Sequence, residues 1–381
     1  MNKKLSNILL VVVMLSMVFV TVQCVAPTPQ VVEKVVTQVV EVPKEVKVVE
    51  TQVVEKEVKV VETQVVEKVV EKVVEKPAAA APQPVYDFDP TVKPAKPYKI
   101  AVVLKNFTNP FWLTHQKAAE RAGKELGIEI TVLAPSKPDN VEEQIRIVED
   151  LIQKKVDAVA IAPANTQAIA TAVQKLNEAG IPVVYDNTRG SGGDYVAYVG
   201  ADNILVGQTM GKTMCEKLGG QGKVLVLEGM PGQQTADDRR KGANDALAAP
   251  ECKGIQVVSQ TAHWTRVEGL QVTENVLQRF PDLNGIIGIG GEMALGAIEA
   301  LQAAGIPDGQ VIVQGMDVYP DIQKAINNGT MAYTISQAPG NQAYFSVALL
   351  VKYLNGETVP NEVRTPVVIV TPDNVAEYAE E

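Results

Sequence analysis

From about residue 98 onward the chain alternates short, nearly unbroken apolar runs with longer stretches in which apolar positions recur every three to four residues. The unbroken runs are KIAVVLK, ITVLA, AVAIAP, PVVYD and YVAYVGA, then KVLVLEG, IQVVSQ, GIIGIGG, VIVQGMD and AYTISQ. Stretches such as NVEEQIRIVEDLIQKKV and TQAIATAVQKLNEAG lie between them and carry the helical pattern. A strand that is apolar on both faces belongs in a parallel sheet with helices above and below it. Ten such runs in two sets of five predict two α/β lobes, each a doubly wound parallel sheet. A chain of 381 residues also exceeds what one hydrophobic core organises. In open sheets of this kind ligands sit beyond the carboxyl ends of the strands, so the chemistry is expected just after each run.

The N-terminal quarter has a different texture. Lys3 and Lys4 precede an apolar run from Ile8 to Val22 that is short for a bilayer span and ends at Cys24, which predicts an export signal. A cysteine at the expected cleavage point resembles a bacterial lipoprotein signal over residues 1–24, although Gln23 and Thr21 stand where that signal has a small residue and a leucine. The resemblance implies a lipid on Cys24 and anchoring to the outer face of the bacterial cell membrane. Ordinary secretion and an uncleaved membrane anchor are the alternatives. Residues 25–96 repeat TQVVEK and VVEK units and end in a Pro/Ala-rich linker. On a helix a four-residue step drifts about 40° per unit; on a strand it places Val and Glu on one face and Val and Lys on the other. An extended charged spacer and a helical self-association rod both fit this pattern.

Charge and motif content exclude several functions. A formal net charge of −10 without a basic stripe argues against nucleic acid as partner. His115 and His263 are the only histidines, and neither has a nucleophile nearby in the sequence. GIGGEM has Met293 where a dinucleotide fingerprint needs its third glycine, and LGGQGKV lacks the upstream glycine of a phosphate loop. With no CxxC and no metal-spaced cluster, the expectation is a protein that is not an enzyme and has neither cofactor nor metal. A hydrolase using Asp186 and Asp317 as paired carboxylates is the enzymatic alternative.

The strand ends carry a different chemistry. In NFTNPFW, Asn109 and Pro110 read as an N-cap and a first helical residue. Capping does not explain Phe111 and Trp112, which then stand at the mouth of a strand end. Other ends supply Asp186, Asp317 and Gln337, and Trp264 follows SQTAH in the same way. Aromatic faces for the C–H faces of a ring, with carboxylates, amides and a guanidinium for paired hydroxyls, suit a polyhydroxylated ligand.

From about residue 97 to 370 the sequence resembles the periplasmic sugar-binding proteins of ABC transporters, of the ribose/galactose-binding type, and more distantly the effector domain of LacI-like repressors. The residues that carry the resemblance are NPFW (109–112), VVYDN (183–187), DDRRKG (237–242), AHWTR (262–266), GEMALGAIEAL (291–301), GMD (315–317) and TISQ (334–337). It implies ligand contacts at Lys105, Asn109, Phe111, Trp112, Asp186, Asn187, Arg239, Trp264, Gly290, Asp317 and Gln337. Lys105, Asn187 and Gly290 stand where the ribose subgroup has a small hydroxyl residue, an arginine and an asparagine, so the expected ligand is a monosaccharide or polyol not confined to ribose. The resemblance also implies one lobe of 97–201 and 337–367, a second of 202–336 and 368–381, and a three-segment hinge near Asp202–Asn203, Gln337 and Val367, with the ligand in the cleft. In that layout Cys215 and Cys252 both fall toward the foot of the second lobe, as a disulfide or as two buried thiols. The implied function is extracytoplasmic capture of the sugar and delivery to an ABC permease; the alternative is a receptor that hands its closed form to a membrane kinase or chemoreceptor.

Overall fold

The computed structural model describes residues 88–378. The signal segment with Cys24 and residues 25–87 of the spacer lie outside the described residues. Within them the chain forms two α/β lobes, each built on a six-stranded sheet.

The first sheet is made by β1 (Lys99–Val103), β2 (Glu129–Leu133), β3 (Ala158–Ile161), β4 (Val183–Asp186), β5 (Ala197–Ala201) and β11 (Glu362–Thr365). Its order is β11-β5-β4-β3-β1-β2, and every pairing is parallel. The second contains β6 (Gln221–Glu228), β7 (Gly254–Thr261), β8 (Gly285–Gly288), β9 (Ile312–Met316), β10 (Tyr333–Ser336) and β12 (Val368–Val370). Its order is β12-β10-β9-β8-β6-β7, parallel except where β12 runs antiparallel to β10. β3, β4, β5, β8 and β10 are buried along their whole length, as expected of strands covered on both faces.

The ten apolar runs correspond to β1–β10. β11 and β12 were not anticipated: EVRT and VIV are short, and they flank Pro366 in a segment read from sequence only as a crossing. The chain passes between the sheets three times, after Ala201, after Ser336 and between Thr365 and Val368.

Helix packing in the second lobe sets one functional side chain in place. α4 (Asn203–Lys217) and α5 (Gln234–Leu247) approach backbone to backbone; a Cβ at Gly207 would lie 2.1 Å from Arg239 O, and one at Gly242 would lie 2.2 Å from Ile204 O. Only glycine permits that approach, and it brings Arg239 of α5 against Asn203 at the start of α4. At the far end of α4, Cys215 is disulfide-bonded to Cys252, with Cα atoms 5.7 Å apart, so the thiol alternative does not describe this structure.

Candidate functional site

The carboxyl ends of both sheets face one cavity. Asn109 caps α1 (Pro110–Leu126), accepting a hydrogen bond from the Phe111 N–H at 3.0 Å, while Asn106 Oδ1 accepts from the Asn109 N–H at 3.0 Å. This short loop after β1 places Phe111 and Trp112 edge to face, ring centroids 4.7 Å apart, in the cavity wall. Asn109 thus caps the helix, while Phe111 and Trp112 line the cavity.

From the second lobe, Trp264 comes down on the opposite side. His263 and Trp264 both have positive φ, +43° and +65°, which costs a residue with a Cβ and turns the indole inward. The ring lies on two glycines: a Cβ at Gly290 would come within 2.7 Å of it, and one at Gly229 within 2.1 Å. Gly290 is thus the seat of an indole, a reason the sequence did not show. Asp139, Asn187 and Asp317, also cavity-lining, have positive φ as well. Strained backbone concentrated at one site points to a functional constraint there.

The polar groups form two networks. Arg239 donates from Nε to Asn203 Oδ1 at 2.8 Å, from one terminal nitrogen to Ile289 O at 3.2 Å, and from the other to Gln337 Oε1 at 2.8 Å. Gln337 Nε2 donates to Asp317 Oδ1 at 2.9 Å. Gln342 Nε2 donates to Gln337 O at 2.9 Å and to Thr365 Oγ1 at 3.0 Å, and Asn187 Nδ2 donates to Gln342 Oε1 at 3.0 Å. Asn203, Gln337 and Thr365 stand at the three passages between sheets, so one hydrogen-bonded chain ties all of them to the cavity.

The second network centres on Gln233, whose amide is completely buried. Its Oε1 accepts from Lys105 Nζ at 2.8 Å and Trp264 Nε1 at 3.0 Å; its Nε2 donates to Asp139 Oδ1 at 2.8 Å and Ala164 O at 3.0 Å. Lys105, Asp139 and Ala164 belong to the first lobe and Gln233 and Trp264 to the second.

Burial governs the electrostatics. It pulls the Lys105 ammonium down to about 7, helped by Arg239 and opposed by Asp139. It pushes the Asp317 carboxyl up to about 6 against Arg239, the Gln337 hydrogen bond and His115. It also lowers the Arg239 guanidinium, with Asp317 opposing. The Lys105 shift has a signed consequence. Below about 7 the ammonium is charged in the folded and unfolded states alike, and the fold bears the whole burial penalty; between about 7 and 10.5 only the unfolded chain keeps the proton, so this group's contribution to stability rises with pH. Melting temperatures of Lys105→Met and wild type should therefore draw together, in the direction of a gain for wild type, as pH rises from 7 to 10. A constant difference across that range would contradict a depressed Lys105.

The cavity, about 50 Å³, is several times the roughly 10–15 Å³ that holds one water, so it accommodates several polar groups. Ten of the eleven positions carried over from the resemblance line it: Lys105, Asn109, Phe111, Trp112, Asn187, Arg239, Trp264, Gly290, Asp317 and Gln337. Asp186 does not. Its carboxylate is fully buried behind the lining, beside His115. Asn106, Asp139, Gln233, Thr235 and Gly291 also line the cavity and were missed. Asp139 and Gln233 follow β2 and β6, so the strand-end rule would have found them had it been applied at every strand. His263 pairs with Glu268 and does not line the cavity.

Residues 100–358 match the family model described as the periplasmic binding protein domain. The chain belongs to the periplasmic binding protein family. This is a family of solute-binding proteins, and its location is extracytoplasmic. The ribose import binding protein of Escherichia coli is 34% identical over 260 residues, 68% of this chain and 86% of that protein. Among solved structures, an ABC transporter periplasmic solute-binding protein from Actinobacillus succinogenes with bound D-allose matches with TM-score 0.70 and 33% identity, over 74% of this chain and 100% of that one. An ABC transporter solute-binding protein from Bacillus halodurans with bound myo-inositol gives TM-score 0.69 and 30% identity over 74% and 96% of the two chains. The relatives of this periplasmic binding protein are thus sugar- and polyol-binding proteins of ABC importers.

Proposed function

We propose that this protein captures one monosaccharide or polyol in the cavity between its lobes and delivers it to an ABC permease. The observation that carries the reading is the composition of the cavity wall: three aromatic rings together with Lys105, Asn109, Arg239 and Asp317, contributed by both lobes. The rings offer apolar faces to C–H groups, and the charged and amide groups offer short hydrogen bonds to adjacent hydroxyls. Phe111, Trp112 and Trp264 would hold the ring; Lys105, Asn109, Asn187, Arg239, Asp317 and Gln337 would take hydroxyls; Gly290 makes room for the Trp264 indole. A ligand that touches both lobes favours the closed arrangement by its difference in affinity between states. The ligands of the relatives, D-allose and myo-inositol, are of this class.

The reading includes an anchor: Cys24 is lipidated and the Val/Glu/Lys-rich residues after it act as a spacer from the membrane's outer face. The Cys215–Cys252 disulfide supports an oxidising compartment. Mass analysis of the mature N-terminus tests the anchor; a mature chain that starts elsewhere and carries no lipid mass rules it out.

The sugar reading is tested by thermal shift against pentoses, hexoses, deoxysugars and polyols, since a ligand at 100 times its Kd stabilises by about 2.7 kcal/mol. At least one compound should raise the melting temperature. The same compound should change the intrinsic fluorescence, because both tryptophans of the chain line the cavity. A panel in which no compound does either would remove the sugar reading.

A further inference from the structure

Ahead of β1, residues 88–98 read FDPTVKPAKPY. Their exposure alternates: Phe88 is buried, Pro90, Val92 and Pro94 are half-buried, and Asp89, Thr91 and Lys93 are exposed. A period of two is what an extended segment shows when one of its faces lies on a surface. The segment forms no strand, and its three prolines have no N–H to give to a sheet. They do bias the chain toward extended backbone before it docks, so less conformational entropy is lost on ordering it.

The surface beneath it belongs to α9 (Pro339–Leu354). Phe88 meets Phe345 edge to face, ring centroids 5.5 Å apart, and Lys352 Nζ stands 6.0 Å from the Phe88 ring centroid. Val92 packs against the same apolar cluster, which also holds Tyr98 and Phe345. Asn355, just past the helix, grips the other end with both halves of its amide. Its Oδ1 accepts from the Ala95 N–H at 2.9 Å and from the Tyr98 hydroxyl at 3.1 Å, and its Nδ2 donates to Lys93 O at 3.0 Å. Asp157 completes the hold: one oxygen accepts from Lys96 Nζ at 3.0 Å and the other from the Lys99 N–H at 2.8 Å, where β1 begins. Phe345 precedes Asn355 by ten residues, about 15 Å along a helix. Seen from β1, the segment thus climbs from the end of the lobe away from the cavity onto the flank of α9.

We propose that residues 88–98 are a docking strap: they bind along α9 and set the junction with the N-terminal chain on the flank of the first lobe, so that a pull on that chain is borne by α9 before it reaches β1. Without the strap, β1 would be the first element to meet such a pull. The carboxyl end of β1 leads into Lys105 and the NFTNPFW loop, so the strap also isolates part of the cavity wall from the N-terminal chain. The inference needs neither the sugar nor the lipid, and its test is made without either.

The full chain has six phenylalanines, so fluorine-19 spectra of protein labelled with 4-fluorophenylalanine are simple enough to assign by single replacements. A gadolinium chelate in the solvent should relax the Phe88 signal several times more slowly than that of Phe107, which is 39% exposed. Phe88→Ser should displace the Phe345 signal. Asn355→Ala, made on the lobe side and leaving the helix backbone bond from Asn355 N–H to Val351 O in place, should raise Phe88 relaxation toward that of Phe107. The melting temperature should fall by several degrees in Phe88→Ser and recover in large part in Phe88→Leu, which refills the apolar contact. The shielding of β1 is read by hydrogen exchange, in which amides at the start of β1 should exchange roughly tenfold faster in Phe88→Ser than in wild type. A wild-type Phe88 relaxed as fast as Phe107, or β1 exchange untouched by Phe88→Ser, would overturn the proposal.

Discussion

Replacing Arg239 with methionine is expected to weaken binding of whichever sugar stabilises the wild type by at least about a hundredfold and to lower the melting temperature without ligand by several degrees. The guanidinium has five N–H donors, and three of them are taken by Asn203, Ile289 O and Gln337. Two therefore remain on a residue that walls the cavity, where each charged hydrogen bond to a hydroxyl is worth about 1.5–3 kcal/mol. About 2.8 kcal/mol corresponds to a hundredfold in affinity. A second loss adds to the first. Arg239 opposes the burial that pushes Asp317 up to about 6, so its removal moves that carboxyl further up and leaves Asp317 a poorer acceptor near neutral pH. The stability loss comes from the orphaned acceptors on Asn203, Ile289 and Gln337, two of which stand at passages between the lobes. Arg239→Lys should recover little, because a single ammonium cannot span three acceptors arranged for a planar fork. Calorimetric titration and thermal unfolding read the two effects separately. Wild-type affinity in a destabilised Arg239→Met protein would confine the residue to hinge support.

The sequence made the sheets legible because buried parallel strands favour apolar side chains, and β1, β3, β4 and β5 are rich in Val, Ile and Ala, while the rest of β1–β10 carry shorter apolar runs. β11 and β12 escaped because EVRT and VIV are three or four residues long and lie at the ends of their sheets, where one side of the strand has no neighbour to demand apolar side chains. Phe111 and Trp112 stood out because aromatic residues are scarce, 5% of the chain, and a helix N-terminus does not need them. Gln233 gave no such sign: a glutamine between a Pro-Gly turn and a helix is locally unremarked, and its meaning lies in partners 31 to 128 residues away. His115 was set aside because nothing near it in sequence was reactive, whereas its partner is Asp186 from the neighbouring strand system. Gly290 read as a lost amide, and the steric demand of Trp264 that explains it is a contact no local pattern contains.

Gln233→Ala is expected to loosen the closed arrangement of the lobes even in the absence of ligand. An amide has two acceptor lone pairs and two donor hydrogens, and all four of Gln233's are used: Lys105 and Trp264 on the oxygen, Asp139 and Ala164 O on the nitrogen. Three of those four partners lie on the opposite lobe, so the side chain is a bolt across the cleft. Truncation leaves the Lys105 ammonium without its hydrogen-bond partner among the described residues, and also strands the Trp264 N–H, an Asp139 oxygen and the Ala164 carbonyl. Opening the cleft lets water reach all of these groups, and an unmet buried group costs about 1–3 kcal/mol, so the balance moves toward the open form. The radius of gyration of the ligand-free protein, measured by X-ray scattering, should rise on Gln233→Ala. Sugar affinity should fall by about tenfold or more, because part of the binding energy is then spent on closure. Glutamate should not rescue the position: its carboxylate suits Lys105 but meets Asp139 and the Ala164 carbonyl with no hydrogen to give. The neighbouring contacts, Thr166 N–H to Gly232 O and Gln234 N–H to Thr166 Oγ1, remain in every variant and bound the size of the effect. Scattering curves that superimpose on wild type, with affinity retained, would show that the other contacts between the lobes, Arg189 N–H to Gln234 Oε1 among them, hold them together and that Gln233 only fills space between them.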